Sequence, residues 1–148
     1  MNHVLLAQAL GYYGEREIPG AKSNPIINAM LRSVGLPARD SIAWCSAFVN
    51  NVATEVGAEH TDKGLARSWL GVGKMILPQH VLPGNLVILR RGKSRWQGHV
   101  GFVIRLNRKR GYVYVLGGNQ SNRVCIRDYP LSRVLGYRAL GTYKHRVK

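Results

Sequence analysis

The sequence has few acidic residues and little cysteine, and it has no long hydrophobic run. Its 148 residues include 22 Lys and Arg but only 7 Asp and Glu, so the formal net charge is +15. Such an imbalance predicts affinity for a polyanion, which includes nucleic acid, an anionic lipid surface and an anionic cell envelope. No apolar stretch approaches the ~18 residues of a membrane-spanning helix, so we expect no membrane span.

The two cysteines, Cys45 and Cys125, stand far apart and match no zinc-ribbon or zinc-finger spacing. No HExxH motif is present, and nothing marks the chain as a secreted protein in which a disulfide would be expected. The first residues, "MNHVLLAQALGYYGE", lack the basic and long apolar regions of a signal peptide. We therefore expect the protein to be made in the cytoplasm, and to need release by another component if it acts outside.

Helical patterns fill the first half of the chain and strand patterns the second half, which predicts an α+β domain. A short helix is expected over residues 3–13, and another around Ala66–Leu70. Asn24 suits a helix N-cap and Pro25 the first helical position of a helix that ends at Gly35. The next helix contains an apolar stripe and ends at Gly57. Its expected cap is Asp40 or Ser41, and its stripe consists of Ile42, Cys45, Phe48, Val49, Val52 and Val56.

From residue 83 onward, β-branched and aromatic residues dominate short segments separated by basic connectors. The segments are "PGNLVIL", "HVGFVI", "GYVYVLGG", "RVCIRDY" and "VLGYRAL". Their close spacing predicts an antiparallel meander or small barrel, with the helices on one side. No repeat or linker is visible, so we expect one domain over residues 1–148, with 143–148 as a basic tail.

Cys45 is the first candidate for chemistry because it lies in the first turns of a predicted helix. Unpaired backbone N–H groups and the positive end of the helix dipole favour the thiolate, which is the nucleophilic form. The same N–H groups can stabilise an oxyanion. The alternative is that Cys45 is a small apolar core residue, since free cysteine is among the most buried residue types. Cys125 alternates with Val124 and Ile126, and we expect it to be structural.

His99 is the second candidate, at the start of a predicted strand between Gly98 and Gly101, which leave room for close backbone approach. A strand antiparallel to it would bring the end of "VLGGNQSN" beside the imidazole. The Asn119 carbonyl can then accept from the imidazole N–H, which is the third role in a Cys-His-Asn arrangement. The alternatives are a surface histidine and a plain Gly-Asn turn.

The ordered set of these motifs resembles the CHAP group of cysteine, histidine-dependent amidohydrolases and peptidases, within the papain-like class that also holds NlpC-type wall peptidases. It is most similar to a subgroup of small, single-domain proteins associated with phages and proteobacteria. The matching segments are Asn24–Ile26, Trp44–Asn50 ("WCSAFVN"), Ala66–Leu70, Gly98–Val103 ("GHVGFV"), Gly117–Gln120 ("GGNQ") and Gly136–Arg138.

The resemblance implies a papain-like fold in which N-terminal helices pack on a small antiparallel sheet or half-barrel. It implies Cys45 as nucleophile, His99 as general base and Asn119 as the orienting residue, with Gln120 sharing or taking that last role. The implied reaction is cleavage of an amide bond in the peptidoglycan peptide, by an endopeptidase or an N-acetylmuramoyl-L-alanine amidase, without metal or cofactor. Trp44 and Trp96 are expected to bind substrate or support the site.

The resemblance also implies a phage endolysin, made in the host cytoplasm and acting in the periplasm after release. Its expected partners are peptidoglycan and an anionic envelope, without nucleic acid, and we expect a monomer. The alternatives are an injected wall-degrading effector, a basic nucleic-acid- or envelope-binding module without catalysis, and an inactive virion protein. A zinc amidase is a further alternative, using Cys45 or Cys125 with His99 and either His60 or His80. We also expect Arg67 and Arg138 to pair with Glu15 or Asp128.

Overall fold

A computed structural model of the protein describes residues 1–19, 23–38 and 43–144. The α-helices are α1 (Asn2–Leu10), α2 (Pro25–Ser33) and α3 (Cys45–Glu55), and short 3₁₀ helices span Ala66–Gly71, Pro78–His80 and Leu131–Arg133. The strands are β1 (Lys74–Ile76), β2 (Leu86–Arg90), β3 (Gly98–Asn107), β4 (Tyr112–Gln120), β5 (Arg123–Pro130) and β6 (Val134–Ala139).

The strands form a single six-stranded sheet in the order β1-β6-β2-β3-β4-β5, and every neighbouring pair is antiparallel. This confirms the predicted α+β fold with N-terminal helices on an antiparallel sheet. The five long strands lie where strand patterns were expected. The edge strand β1 was not predicted, because three residues are too few to show an alternating pattern.

The predicted cap of α2 is present. Asn24 Oδ1 accepts hydrogen bonds from the backbone N–H groups of Ile26 (2.9 Å) and Ile27 (3.5 Å). Pro25 occupies the first turn, and Gly35 follows the helix with φ of +74°, a conformation that glycine adopts without strain. None of the described helices is long and apolar enough to cross a membrane.

Helix α3 forms the centre of the molecule, because its first six residues are all buried. It packs across β3 and β4, where the Phe48 ring meets the Phe102 ring edge to face with centroids 6.3 Å apart. Burial of each such side chain contributes about 1.5–3 kcal/mol, so the sheet holds the start of α3 firmly in place. The helix begins one residue after Trp44; the predicted caps Asp40 and Ser41, and Ile42, lie outside the described residues.

Candidate active site

Cys45 is the first residue of α3 and is only 6% exposed. The preceding residue, Trp44, is fully buried, and its indole N–H donates to Glu17 Oε1 at 2.9 Å. β4 lies directly on this indole at Gly118, where a Cβ atom would stand only 2.6 Å from the Trp44 ring. Trp44 is therefore packed inside the protein beside Cys45, where it can support the site but cannot reach a substrate in solution.

Polar residues within α3 anchor the helix to the segment that follows it. Ser46 Oγ donates to the Lys63 carbonyl (2.7 Å) and accepts from the indole N–H of Trp69 (2.9 Å). Asn50 Oδ1 accepts from the backbone N–H groups of Thr61 (2.9 Å) and Asp62 (2.8 Å). Sequence reasoning missed this network, although Ser46 and Asn50, four residues apart and therefore on one face of the predicted helix, were a visible signal for it.

His99 lies on β3, and its imidazole interacts electrostatically with the Cys45 thiol beside a cavity that both residues line. Burial alone raises the pKa of the Cys45 thiol, but the charge of His99 and hydrogen bonds from His99 and the backbone of Val100 and Ser46 lower it more. The net result is a Cys45 pKa below its ordinary value. The structure therefore favours the thiolate that the helix start was expected to favour.

The pKa of His99 moves in the opposite direction. Burial lowers it, but the charge of Cys45 and hydrogen bonds to Cys45 and Gln120 raise it more, against a smaller lowering effect of Arg133. A lowered thiol pKa beside a raised imidazole pKa shifts the two groups toward a thiolate–imidazolium pair. Such a pair has both an active nucleophile and a proton donor for a leaving group.

Gln120 hydrogen-bonds the imidazole, since its Oε1 lies 2.9 Å from His99 Nε2. The Gln120 amide cannot rotate freely, since its Nε2 donates to the carbonyls of Val115 (3.1 Å) and Cys125 (2.6 Å). The amide oxygen must then face His99 and accept from its Nε2–H. This leaves Nδ1 as the ring nitrogen available to Cys45.

Asn119 does not make the contact with His99 that was predicted for it. Gly117 pairs with Cys125 but Gln120 pairs with Arg123, so β4 contains one extra residue at this point, and Asn119 has φ of +59°. This bulge reverses the expected alternation and turns Gln120 toward His99. Among the described residues no hydrogen bond joins Asn119 to His99; Asn119 instead lines the cavity in front of Cys45. Of the two residues considered for the orienting role, the geometry favours Gln120.

Two neighbours of Gln120 make its position possible. A Cβ atom at Gly117 would lie 2.7 Å from Gln120 Oε1 and 3.4 Å from His99 Nε2, so only glycine leaves room for the pair. Cys125 is buried on β5, and its thiol donates to the Gln120 backbone carbonyl at 3.2 Å. Cys125 thus has the structural setting that was expected of it.

A small cavity of about 160 Å³ opens beside the Cys45–His99 pair. The Tyr129 ring forms part of its wall and lies 5.3 Å from the His99 ring, centroid to centroid. Burial, the main cause, raises the pKa of Tyr129 to about 12, so its hydroxyl stays protonated at neutral pH. The residues lining the cavity are Ala43, Cys45, Arg91, Gly98, His99, Asn119, Tyr129 and Arg133.

Trp96 does not line this cavity; it is 64% exposed on the hairpin between β2 and β3. Arg67 holds that hairpin by donating to the carbonyls of Gln97 (2.7 Å) and Ser94 (2.6 Å). Arg138 donates to the Leu70 carbonyl. The predicted pairing of Arg67 and Arg138 with Glu15 or Asp128 is therefore wrong, because both guanidinium groups bind backbone carbonyls instead.

The described residues contain no group of three or more His, Cys, Asp or Glu side chains that could hold a metal ion. His60, one candidate ligand, lies 2.8 Å from the Asp62 carboxylate and stacks on Tyr143. The zinc amidase alternative therefore has no ligand set in this part of the chain.

A cysteine at the start of a buried helix, paired with a histidine on an antiparallel sheet, defines the papain-like class of thiol hydrolases. A family model for the CHAP domain matches residues 37–119, which is more than half of the chain. The chain therefore belongs to the CHAP family, a family of peptidoglycan hydrolases with a cysteine peptidase-like fold. No curated protein matches the chain. The matched segment includes Cys45, His99 and Asn119 and ends one residue before Gln120.

Proposed function

We propose that the protein hydrolyses an amide bond in the peptide part of peptidoglycan, with Cys45 as nucleophile, His99 as general acid and base, and Gln120 as the positioning residue. The observation that carries this proposal is that Cys45 and His99 line the same cavity, while Gln120 Oε1 holds Nε2 of the imidazole at 2.9 Å. The bond is that of an endopeptidase or of an N-acetylmuramoyl-L-alanine amidase.

The proposed reaction starts from Cys45 as thiolate and His99 as imidazolium, the forms toward which the site shifts both pKa values. The Cys45 thiolate attacks the amide carbonyl, and the resulting oxyanion is stabilised by backbone N–H groups at the positive end of α3. The C–N bond breaks as His99 Nδ1–H protonates the leaving amine, which leaves a thioester on Cys45. His99, now neutral, accepts a proton from water, and the hydroxide attacks the thioester. The products are the restored thiolate, the imidazolium and a carboxylic acid, which ionises to the carboxylate as its proton passes to the released amine.

The charge distribution supports an anionic envelope as the place of action. Glu15, Glu17 and Glu55 accept hydrogen bonds from the neutral side chains of Asn24, Trp44 and Tyr12. Among the described residues, no Lys or Arg side chain forms an ion pair with a carboxylate, so the basic surface remains available to bind an anionic partner.

We propose a monomeric phage endolysin whose residues 1–148 form one catalytic domain and which acts on the wall from the periplasm. An injected effector with the same chemistry is the alternative.

Digestion of purified Gram-negative peptidoglycan tests this function. We expect the protein to release soluble fragments and new amine groups, and mass spectrometry of the fragments then identifies the bond. An amidase leaves glycan chains without peptide, whereas an endopeptidase leaves peptide residues attached to the glycan. Binding to the wall without any fragment or new amine would contradict the proposal. Salt-sensitive retention on DNA in that case would support the binding-module alternative.

Replacing Gln120 distinguishes the positioning residue from its neighbour. We expect Gln120→Met to lower kcat about 100-fold with little change in KM, because loss of the fixed amide lets the imidazole turn away from Cys45. The alkaline limit of the pH–rate profile should move to lower pH, because the Gln120 hydrogen bond raises the pKa of His99. Asn119→Ala is the matched control on the same bulge, and we expect it to change KM more than kcat.

A larger kcat loss in Asn119→Ala than in Gln120→Met would show that Asn119 is the orienting residue. An unchanged alkaline limit in Gln120→Met would show that Gln120 is only structural. Thermal unfolding of both variants accompanies the kinetics, because Gln120→Met removes the side-chain donor of two buried hydrogen bonds.

A further inference from the structure

The cavity in front of Cys45 is lined by two arginines and by no Asp or Glu side chain. Arg91 and Arg133 both line it, together with the candidate catalytic pair. None of its lining residues is acidic. The two arginines come from different parts of the chain, at the end of β2 and just before β6, and the pairing of Leu89 with Val134 brings them to the same edge of the cavity.

Arg133 is held in place by other groups at the edge of the cavity. Its Nε and Nη2 donate to the Arg90 carbonyl, at 3.2 Å each, and its guanidinium carbon lies 5.2 Å from the centre of the Tyr129 ring. Tyr129 in turn packs against His99. Arg133 Nη1 and the whole Arg91 guanidinium make no hydrogen bond to another described residue. A fixed guanidinium with free N–H groups is well suited to bind a carboxylate.

Catalysis by the Cys45–His99 pair does not itself account for these arginines. A positive charge near His99 disfavours the imidazolium, and Arg133 does lower the pKa of His99. An anion bound between the arginines would offset this effect while the substrate is in place. A negatively charged ligand in the cavity would therefore compensate the charges of the two arginines.

We propose that Arg91 and Arg133 form a carboxylate-binding subsite of the cleft, so that the preferred substrate is a peptide with a free carboxylate close to the scissile amide. This inference rests on the proposed hydrolase function. Peptidoglycan peptides contain such groups in the free carboxylates of their glutamate and diaminopimelate residues. Amidation of these groups removes the charge while keeping the size, which allows a direct test.

The test compares soluble wall tetrapeptide linked to muramic acid with two matched substrates, each amidated at one of the two carboxylates. We expect wild-type kcat/KM to fall at least about tenfold for one amidated form, because charge-assisted hydrogen bonds are lost. Arg91→Gln and Arg133→Gln should each reduce the ratio of kcat/KM between the unmodified substrate and that amidated form. Arg95→Gln is the control, since Arg95 is exposed on the same hairpin and does not line the cavity.

A binding measurement separates this inference from the hydrolase itself. The same three ligands are titrated into Cys45→Ala protein, with and without Arg91→Gln or Arg133→Gln. Carboxylate-selective binding that the arginine variants abolish supports the subsite, even if wild type cleaves none of the ligands and the hydrolase proposal fails. Cleavage of all three ligands at equal rates, or equal binding of all three, overturns the subsite and leaves the hydrolase proposal intact.

Discussion

Replacing His99 with alanine should reduce peptidoglycan hydrolysis by about 10⁴-fold or more, because the variant loses both the thiolate partner and the proton donor for the leaving amine. The structure leaves no substitute, since the other side chains lining the cavity beside Cys45 are two arginines, an asparagine, an alanine and a tyrosine whose pKa is about 12. His80→Ala is the matched control, because His80 is exposed and does not line the cavity. Equal activity of His99→Ala and His80→Ala would contradict the proposed mechanism.

The effect of His99→Ala can also be measured without hydrolysis, through the reactivity of the Cys45 thiol. The rate of Cys45 alkylation by iodoacetamide, followed in a Cys125→Ser background, reports the thiolate fraction as pH rises. We expect the wild-type midpoint below 9.0, since the net effect of the site lowers the pKa of Cys45. His99→Ala should move the midpoint upward, because the charge and hydrogen bond of His99 are lost while burial, which raises the pKa, remains. An unchanged midpoint would show that His99 does not stabilise the thiolate.

Local patterns were sufficient to predict much of the fold, whereas the paired roles of Cys45 and His99 were implied by the resemblance to the CHAP group. The stripe of Phe48, Val49 and Val52 predicted which face of α3 is buried, and the alternation in "GHVGFVI" predicted the strand that carries His99. Both patterns arise from burial against neighbouring layers, so they are visible without knowledge of the rest of the chain.

The features that were missed or misassigned depend on contacts between distant segments or on a break in regularity. The bulge at Asn119 reverses the side-chain alternation of β4, and the Gly-Gly-Asn sequence found there suits a plain turn as well as a bulge. The carbonyls that Arg67 binds, and the Leu70 carbonyl that Arg138 binds, lie 27 to 68 residues away along the chain. Arg91 and Arg133 share a cavity only because β2 pairs with β6, which the spacing of strands along the sequence does not reveal.

Replacing Cys45 with alanine is expected to abolish hydrolysis, since the enzyme then has no nucleophile for the acyl transfer. We expect the loss to be about 10⁴-fold or more, and stability to change little because alanine also suits the first turn of a helix. Cys125→Ser is the matched control, since Cys125 is equally buried but its thiol hydrogen-bonds the Gln120 carbonyl, a contact that serine retains.

The most direct measurement is the rate at which new amine groups appear when wild type, Cys45→Ala and Cys125→Ser are each incubated with purified Gram-negative peptidoglycan. The proposed function predicts steady amine release by wild type and Cys125→Ser and none above background by Cys45→Ala. If wild type releases amines no faster than Cys45→Ala, the thiol mechanism is contradicted.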